Sequence, residues 1–195
     1  MPMPMQHMLA FTIHPSIGNG QPSAVIDVGA NRTALAPTPN APDDSYWICI
    51  IDAKNPRVKV KEWVVKGSDH SKVPSGLDTY MNDPDYIFVV ATKTLSTLHV
   101  PQGAFFDFLT KYGAGRALQE LEQLNVVFGC GSFGNVSYAL TGQCGPRGGG
   151  KPSPISYEKS SIYGGYSALM MMSLMPGEHG APPYSLCDNY TWKSP

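Results

Sequence analysis

The run Trp47-Ile48-Cys49-Ile50-Ile51 constrains the fold more than any other feature of the chain. Five consecutive apolar residues leave no face for water, so a strand built on them is buried on both faces, as a central strand is. Tyr86 to Ala91 reads as a second buried strand of the same kind. Between them, Arg57 to Lys66 alternates with a period of two: Val58 and Val60 point one way, Arg57, Lys59 and Lys61 the other. The phase then changes, because Trp63 and Val65 fall on the basic side and Glu62 on the apolar side. A bulge near Glu62 accounts for that shift and makes the pair a hairpin.

The rest of the chain is punctuated by turns. Its 20 glycines and 18 prolines outnumber its 14 basic and 15 acidic residues, a balance that argues against helical bundles, coiled coils and charge-driven disorder. Met8 to Ile13, Ser23 to Val28, Val136 to Thr141 and Ser167 to Leu174 read as further strands, Pro74 to Asp83 as a short helical turn, and Thr33 to Asp44 as a proline-bearing loop. Pro101 suits a first helical turn, and Phe105, Phe108, Leu109 and Tyr112 follow at helical spacing. Gly113-Ala114-Gly115 interrupts, and Leu118, Leu121 and Leu124 resume the period. The spacing predicts an α+β fold: β-sandwich-like mixed sheets flanked by two short helices. One domain is expected over 8–175, with an N-terminal arm at 1–7 and a C-terminal arm at 176–195.

Charge and targeting signals narrow the partners. A net charge of −1 is not the basic excess that nucleic-acid binding needs. No apolar run approaches the roughly 20 residues that span a bilayer, and no classical export signal opens the chain. The expectation is cytoplasmic synthesis without membrane insertion, with incorporation into a particle or release by a non-classical route. Cys49, Cys130, Cys144 and Cys187 show neither C-x-x-C nor zinc-finger spacing, so no metal is expected. Buried thiols are the reading, Cys49 first among them; Cys130 and Cys144 flank a strand and are placed to approach each other.

Motifs that mimic chemistry fail on context. Gly129-Cys130-Gly131-Ser132-Phe133-Gly134 fits G-x-G-x-x-G, but a helix precedes it and a strand follows, the reverse of a dinucleotide site. Gly145-Pro146-Arg147-Gly148-Gly149-Gly150-Lys151 resembles a phosphate loop, yet Pro152 stands where a Ser or Thr should hold Mg²⁺, and no helix can start there. With no nucleophile elbow, no H-E-x-x-H and dispersed histidines, the sequence points away from an enzyme, and no cofactor is expected. Surface chemistry remains. Trp63, Asp69 and His70 beside the basic stripe have the composition of a shallow polyol or anionic-glycan site; the competing reading makes the lysines an edge-strand guard and Trp63 core.

A resemblance adds to this reading. Trp47 to Ala53, Gly76-Leu77-Asp78-Thr79-Tyr80, the strand Tyr86 to Ala91, the helical segments Phe105 to Leu109 and Leu118 to Leu121, and Ser137-Tyr138-Ala139-Leu140 resemble the interleukin-like EMT inducer (ILEI/PANDER-like) domain family. The likeness covers about half of the chain, from Tyr46 to about Gly142. It implies a β-sandwich with flanking helices, a secreted signalling factor or a glycan-binding stem module, and a ligand role for Asp78 and Tyr80. Thr92-Lys93 departs from the acidic or small residues usual there.

Two functions follow as expectations. One is a non-enzymatic, lectin-like carbohydrate-binding module using Trp63, Asp69, His70, Asp78 and Tyr80. The other is a structural protein of a virion or tail-like particle, whose arms dock onto neighbouring subunits through Met170, Met172, Tyr184, Tyr190 and Trp192, so that the chain is a homo-oligomer.

Overall fold

The computed structural model describes residues 8–16, 24–29, 33–128, 134–147, 154–162 and 166–187. In chain order the strands are β1 (Leu9–His14), β2 (Val25–Val28), β3 (Thr33–Leu35), β4 (Ser45–Asp52), β5 (Lys59–Lys66), β6 (Tyr86–Lys93) and β7 (Leu95–Ser96). Two helices follow, α1 (Gly103–Lys111) and α2 (Arg116–Phe128), and then β8 (Asn135–Gln143), β9 (Ser156–Ser161), β10 (Met170–Pro176) and β11 (Tyr184–Cys187). One sheet runs β11-β10-β1-β2-β3; the other runs β5-β4-β6-β8, with β7 and β9 also on β8. Among the described residues every strand pairing is antiparallel. Among the described residues a single parallel bridge joins the sheets, where Ser16 N–H donates to Thr92 O at 3.0 Å and Thr94 N–H to Ser16 O at 2.9 Å.

The doubly apolar run of β4 explains the layering. Trp47, Cys49 and Ile51 join Phe11, Ile13, Ile26, Met170 and Met172 in a core drawn from both sheets. Tyr46, Ile48 and Ile50 face the other way and pack with Phe105, Leu109, Leu118 and Leu121 of the helices. A strand with water on neither side needs apolar partners on both, and the chain supplies a sheet for one and helices for the other. The general α+β class with two helices therefore holds, and the sheets expected to be mixed are antiparallel in every ladder among the described residues.

Differences from expectation have local causes. The bulge lies between Ile50 and Ile51, where β5 skips Val60, two residues from the position read at Glu62. Beyond it Trp63 and Val65 turn to the helical face opposite Ile48 and Tyr46, whereas Val58 and Val60 are left exposed. Residues 74–83 make successive turns closed by bonds such as Met81 N–H to Asp78 O at 3.2 Å, not a helix. β3 falls in the segment read as a loop, and β11 falls in the segment read as a C-terminal arm. β9 was not anticipated at all, because Ser-Tyr-Glu-Lys-Ser-Ser lacks an apolar alternation.

Cys49 and Cys144 are buried free thiols, and Cys130 lies outside the described residues. Burial pushes each of these two thiols up to about 12. A raised folded-state value keeps the proton on the folded form. The stabilising contribution is therefore whole below the unfolded thiol value of about 8.5 and is lost as pH rises toward 12. Urea unfolding should show stability falling from about pH 8 to about pH 9.5, by on the order of 1 kcal/mol per thiol. A Cys49→Ala/Cys144→Ala variant should flatten that slope, and an unchanged slope would contradict the assignment.

Candidate functional site

The five residues expected to bind ligand do not converge. Trp63 and Asp69 line an open groove of about 610 Å³ along β5, together with Lys66, Lys72 and Pro74. Three of its polar side chains, those of Trp63, Asp69 and Lys72, are already engaged. The Trp63 indole N–H donates to Ser75 O at 3.2 Å, and Lys72 Nζ donates to Asp69 Oδ1 at 2.7 Å, which holds that carboxyl below the usual carboxylate range. Tyr80 stands behind the indole, edge-on with ring centroids 6.0 Å apart, and packs in turn on Tyr86. Asp78 is exposed on the neighbouring turns and does not line the groove.

His70 faces another cluster. Its ring lies 5.4 Å from that of His99, and its Nδ1 is 2.8 Å from Gly67 O. His99 Nδ1 is 2.6 Å from Asp44 Oδ2, while Asp44 Oδ1 accepts Ser96 N–H at 3.0 Å. Asp44 is held at a φ of 57°, and Gly67 packs so close that a Cβ there would meet its carboxylate at 2.5 Å. This resembles part of a catalytic triad, but among the described residues no hydroxyl or thiol hydrogen-bonds the His99 ring. Nor does any group of three or more His, Cys, Asp or Glu among them suit a metal ion. The cluster ties the 3-10 turns Gly67–Asp69 and Thr97–His99 to the start of β4.

The residues expected at an interface divide. Met170 and Met172 are buried in the core between the sheets; they are not outward-facing, and Met171 between them is the exposed one, at 64%. The alternation of β10 imposes this. Tyr184 packs on the same core and its N–H donates to Ala53 O at 2.7 Å. Tyr190 and Trp192 lie outside the described residues.

What sequence reasoning missed is the β9 edge. Among the described residues β9 pairs with β8 on one side alone. Gln143 N–H donates to Ile155 O at 2.9 Å, which makes their pair a hydrogen-bonded one. By antiparallel alternation Tyr157, Lys159 and Ser161 direct their backbone groups to β8, and Glu158 and Ser160 direct theirs outward. An apolar groove flanks each side of this edge. Toward the helices, Leu124 and Val127 of α2 and Ser160, Ser161 and Ile162 line a groove of about 510 Å³. Toward the other sheet, Tyr157, Lys159, Leu169 and Met171 line one of about 280 Å³. Val127 and Ile162 are 72% and 44% exposed, where an isolated domain would ordinarily place polar residues.

Glu158 fixes this edge to the helix. Its Oε1 accepts Ala117 N–H at 2.8 Å and its Oε2 accepts Leu118 N–H at 3.3 Å, two donors of the first turn of α2. Oε2 also accepts the hydroxyl of buried Tyr138 at 2.9 Å. A remote carboxylate thus caps the positive end of the helix. The glycine motifs lie largely outside the described residues. Their surroundings agree with the sequence reading: α2 precedes and β8 follows the first, and strand β9, not a helix, follows the second.

Among the described residues no helix is long and apolar enough to cross a membrane. No protein-family model matches the chain, and no curated protein matches its sequence. These findings overturn three labels: ILEI/PANDER-like, from the resemblance; lectin, from the resemblance and the Trp63 surface; and virion component, from the arms and their apolar anchors; none has a homologue behind it and all are withdrawn.

Proposed function

We propose that the protein is a binding and assembly module, not an enzyme, that takes up an extended polypeptide segment at the β9 edge. In this reading the two sheets stack as a sandwich with the helices outside, and segments beyond the core serve as docking arms. The observation that carries it is the outer edge of β9, with outward-directed backbone groups at Glu158 and Ser160 and an apolar groove on either side. A strand added to β9 gains main-chain hydrogen bonds for affinity and sends alternate side chains into the two grooves for selectivity. Natural sheets cover or charge such edges unless they are used.

The test is a library of displayed decapeptides panned against the full chain, with selected peptides measured by fluorescence anisotropy. Ser160→Pro removes an outward N–H without touching the β8 ladder, so the chain should keep its circular dichroism and melting behaviour. Binding of the selected peptides should weaken at least about tenfold, which corresponds to about 1.4 kcal/mol. Equal binding to wild type and Ser160→Pro, or no peptide selected at all, contradicts the proposal.

A further inference from the structure

We infer that His70 and His99 form a chelating pair for one divalent transition-metal ion, held through their two Nε2 atoms. The inference stands apart from the docking reading, since neither residue lines a groove beside β9. The two histidines are far apart in sequence. The turns Gly67–Asp69 and Thr97–His99 bring their rings to 5.4 Å between centroids, tilted by 31°.

Hydrogen bonds fix which nitrogen each ring offers. His70 Nδ1 lies 2.8 Å from Gly67 O, and His99 Nδ1 lies 2.6 Å from Asp44 Oδ2. Carbonyl and carboxylate oxygens only accept, so each Nδ1 carries the proton and each neutral ring keeps its lone pair on Nε2. The two anchors sit together, because Gly67 N–H donates to Asp44 O at 2.7 Å. Both Nδ1 atoms therefore point to a common side, and both Nε2 atoms emerge on the other. Among the described residues no hydrogen bond reaches either Nε2.

The spacing suits a single ion. With metal–nitrogen bonds of about 2.05 Å and ring nitrogens about 1.15 Å from their centroids, two imidazoles at a tetrahedral angle set their centroids about 5.2 Å apart. The observed 5.4 Å is close to that value. An oxygen acceptor behind a ligating imidazole orients the ring and raises its basicity; Asp44 holds that place behind His99, and Gly67 O behind His70. Asp44 pairs with no lysine or arginine among the described residues, so its charge is left to offset a cation. The supports are themselves fixed. Ser96 N–H donates to Asp44 Oδ1 at 3.0 Å, Gln102 N–H to His70 O at 3.0 Å, and the Tyr46 hydroxyl to His99 O. Imidazole nitrogen selects Zn²⁺ or Cu²⁺ over Ca²⁺ or Mg²⁺, which take oxygen ligands, and water completes the coordination.

Titration of the full chain with Zn²⁺ alone tests this, with ¹⁵N-labelled histidine followed by long-range ¹H–¹⁵N correlation. The Nε2 resonances of His70 and His99 should move together and saturate at one Zn²⁺ for the pair, with both Nδ1 protons retained. His14, whose Nε2 is already 3.2 Å from Asp27 Oδ2, should not move with them. His70→Asn leaves the contact between His99 and Asp44 in place and should weaken Zn²⁺ binding at His99 at least about tenfold, because one imidazole remains. Movement of one ring alone, separate saturation of the two rings, or no movement at Zn²⁺ up to about 1 mM overturns the pair. A folded His70→Asn chain that binds Zn²⁺ as tightly as wild type at His99 overturns it too. The wild-type titration decides the matter even where the variant does not fold.

Discussion

Trp47→Ala should lower the free energy of unfolding by about 3–5 kcal/mol, read from urea unfolding at neutral pH. Trp47 has no exposed surface and lies on β4 in the core that both sheets share. Truncation removes the largest of the fully buried side chains among the described residues and leaves a cavity in the core that both sheets line. A second loss adds to it. The indole N–H donates to Glu62 Oε2 at 2.9 Å, and Lys59 Nζ donates to Glu62 Oε1 at 2.6 Å. Without the indole, a mostly buried carboxylate loses one of its donors, a loss of the order of 1–3 kcal/mol. Trp47→Phe separates the two effects, because it keeps most of the packing and removes only the hydrogen bond. A cost for Trp47→Ala no larger than that for Trp47→Phe would contradict placement of the ring in the core.

Glu158→Ala should cost about 3 kcal/mol or more, since hydrogen bonds to a charged group contribute about 1.5–3 kcal/mol each. The side chain serves three donors at once: two amides in the first turn of α2 and the hydroxyl of Tyr138. Burial and the adjacent carboxylate push the Tyr138 hydroxyl well above its ordinary value, so it stays a donor across the working pH range. The loss should appear first in α2. Amide exchange at Ala117 and Leu118 should accelerate more than exchange in β4 or β6, and Glu158→Gln should recover part of the stability. Uniform acceleration across all elements would place Glu158 in a general packing role instead.

The elements that were legible in the sequence are those whose own residues carry the burial signal. β4 and β6 announce themselves by having no polar face, and α1 and α2 by Phe105, Leu109, Leu118 and Leu121 at helical spacing. The change of phase in β5 was legible as a bulge, though its position shifted to Val60.

β9 was silent because its part in the fold is polar. Glu158 points toward the helices as a cap and Tyr157 packs toward the other sheet, so no alternation of apolar residues records it. The same silence hid the two grooves beside β9, since they arise only when α2 and β10 are brought to it. Trp63, Asp69 and His70 looked like a site because they are close in sequence. The turn at Gly67–Asp69 sends the indole and the imidazole to different clusters.

Docking at β9 is tested most directly by amide hydrogen exchange of the full chain with and without a saturating displayed decapeptide. Protection should rise at least about tenfold at the outward amides of Glu158 and Ser160, about 1.4 kcal/mol of added stability, with β5 unchanged. Unchanged exchange at Glu158 and Ser160 in a peptide-bound chain, with new protection around Trp63 instead, would contradict it.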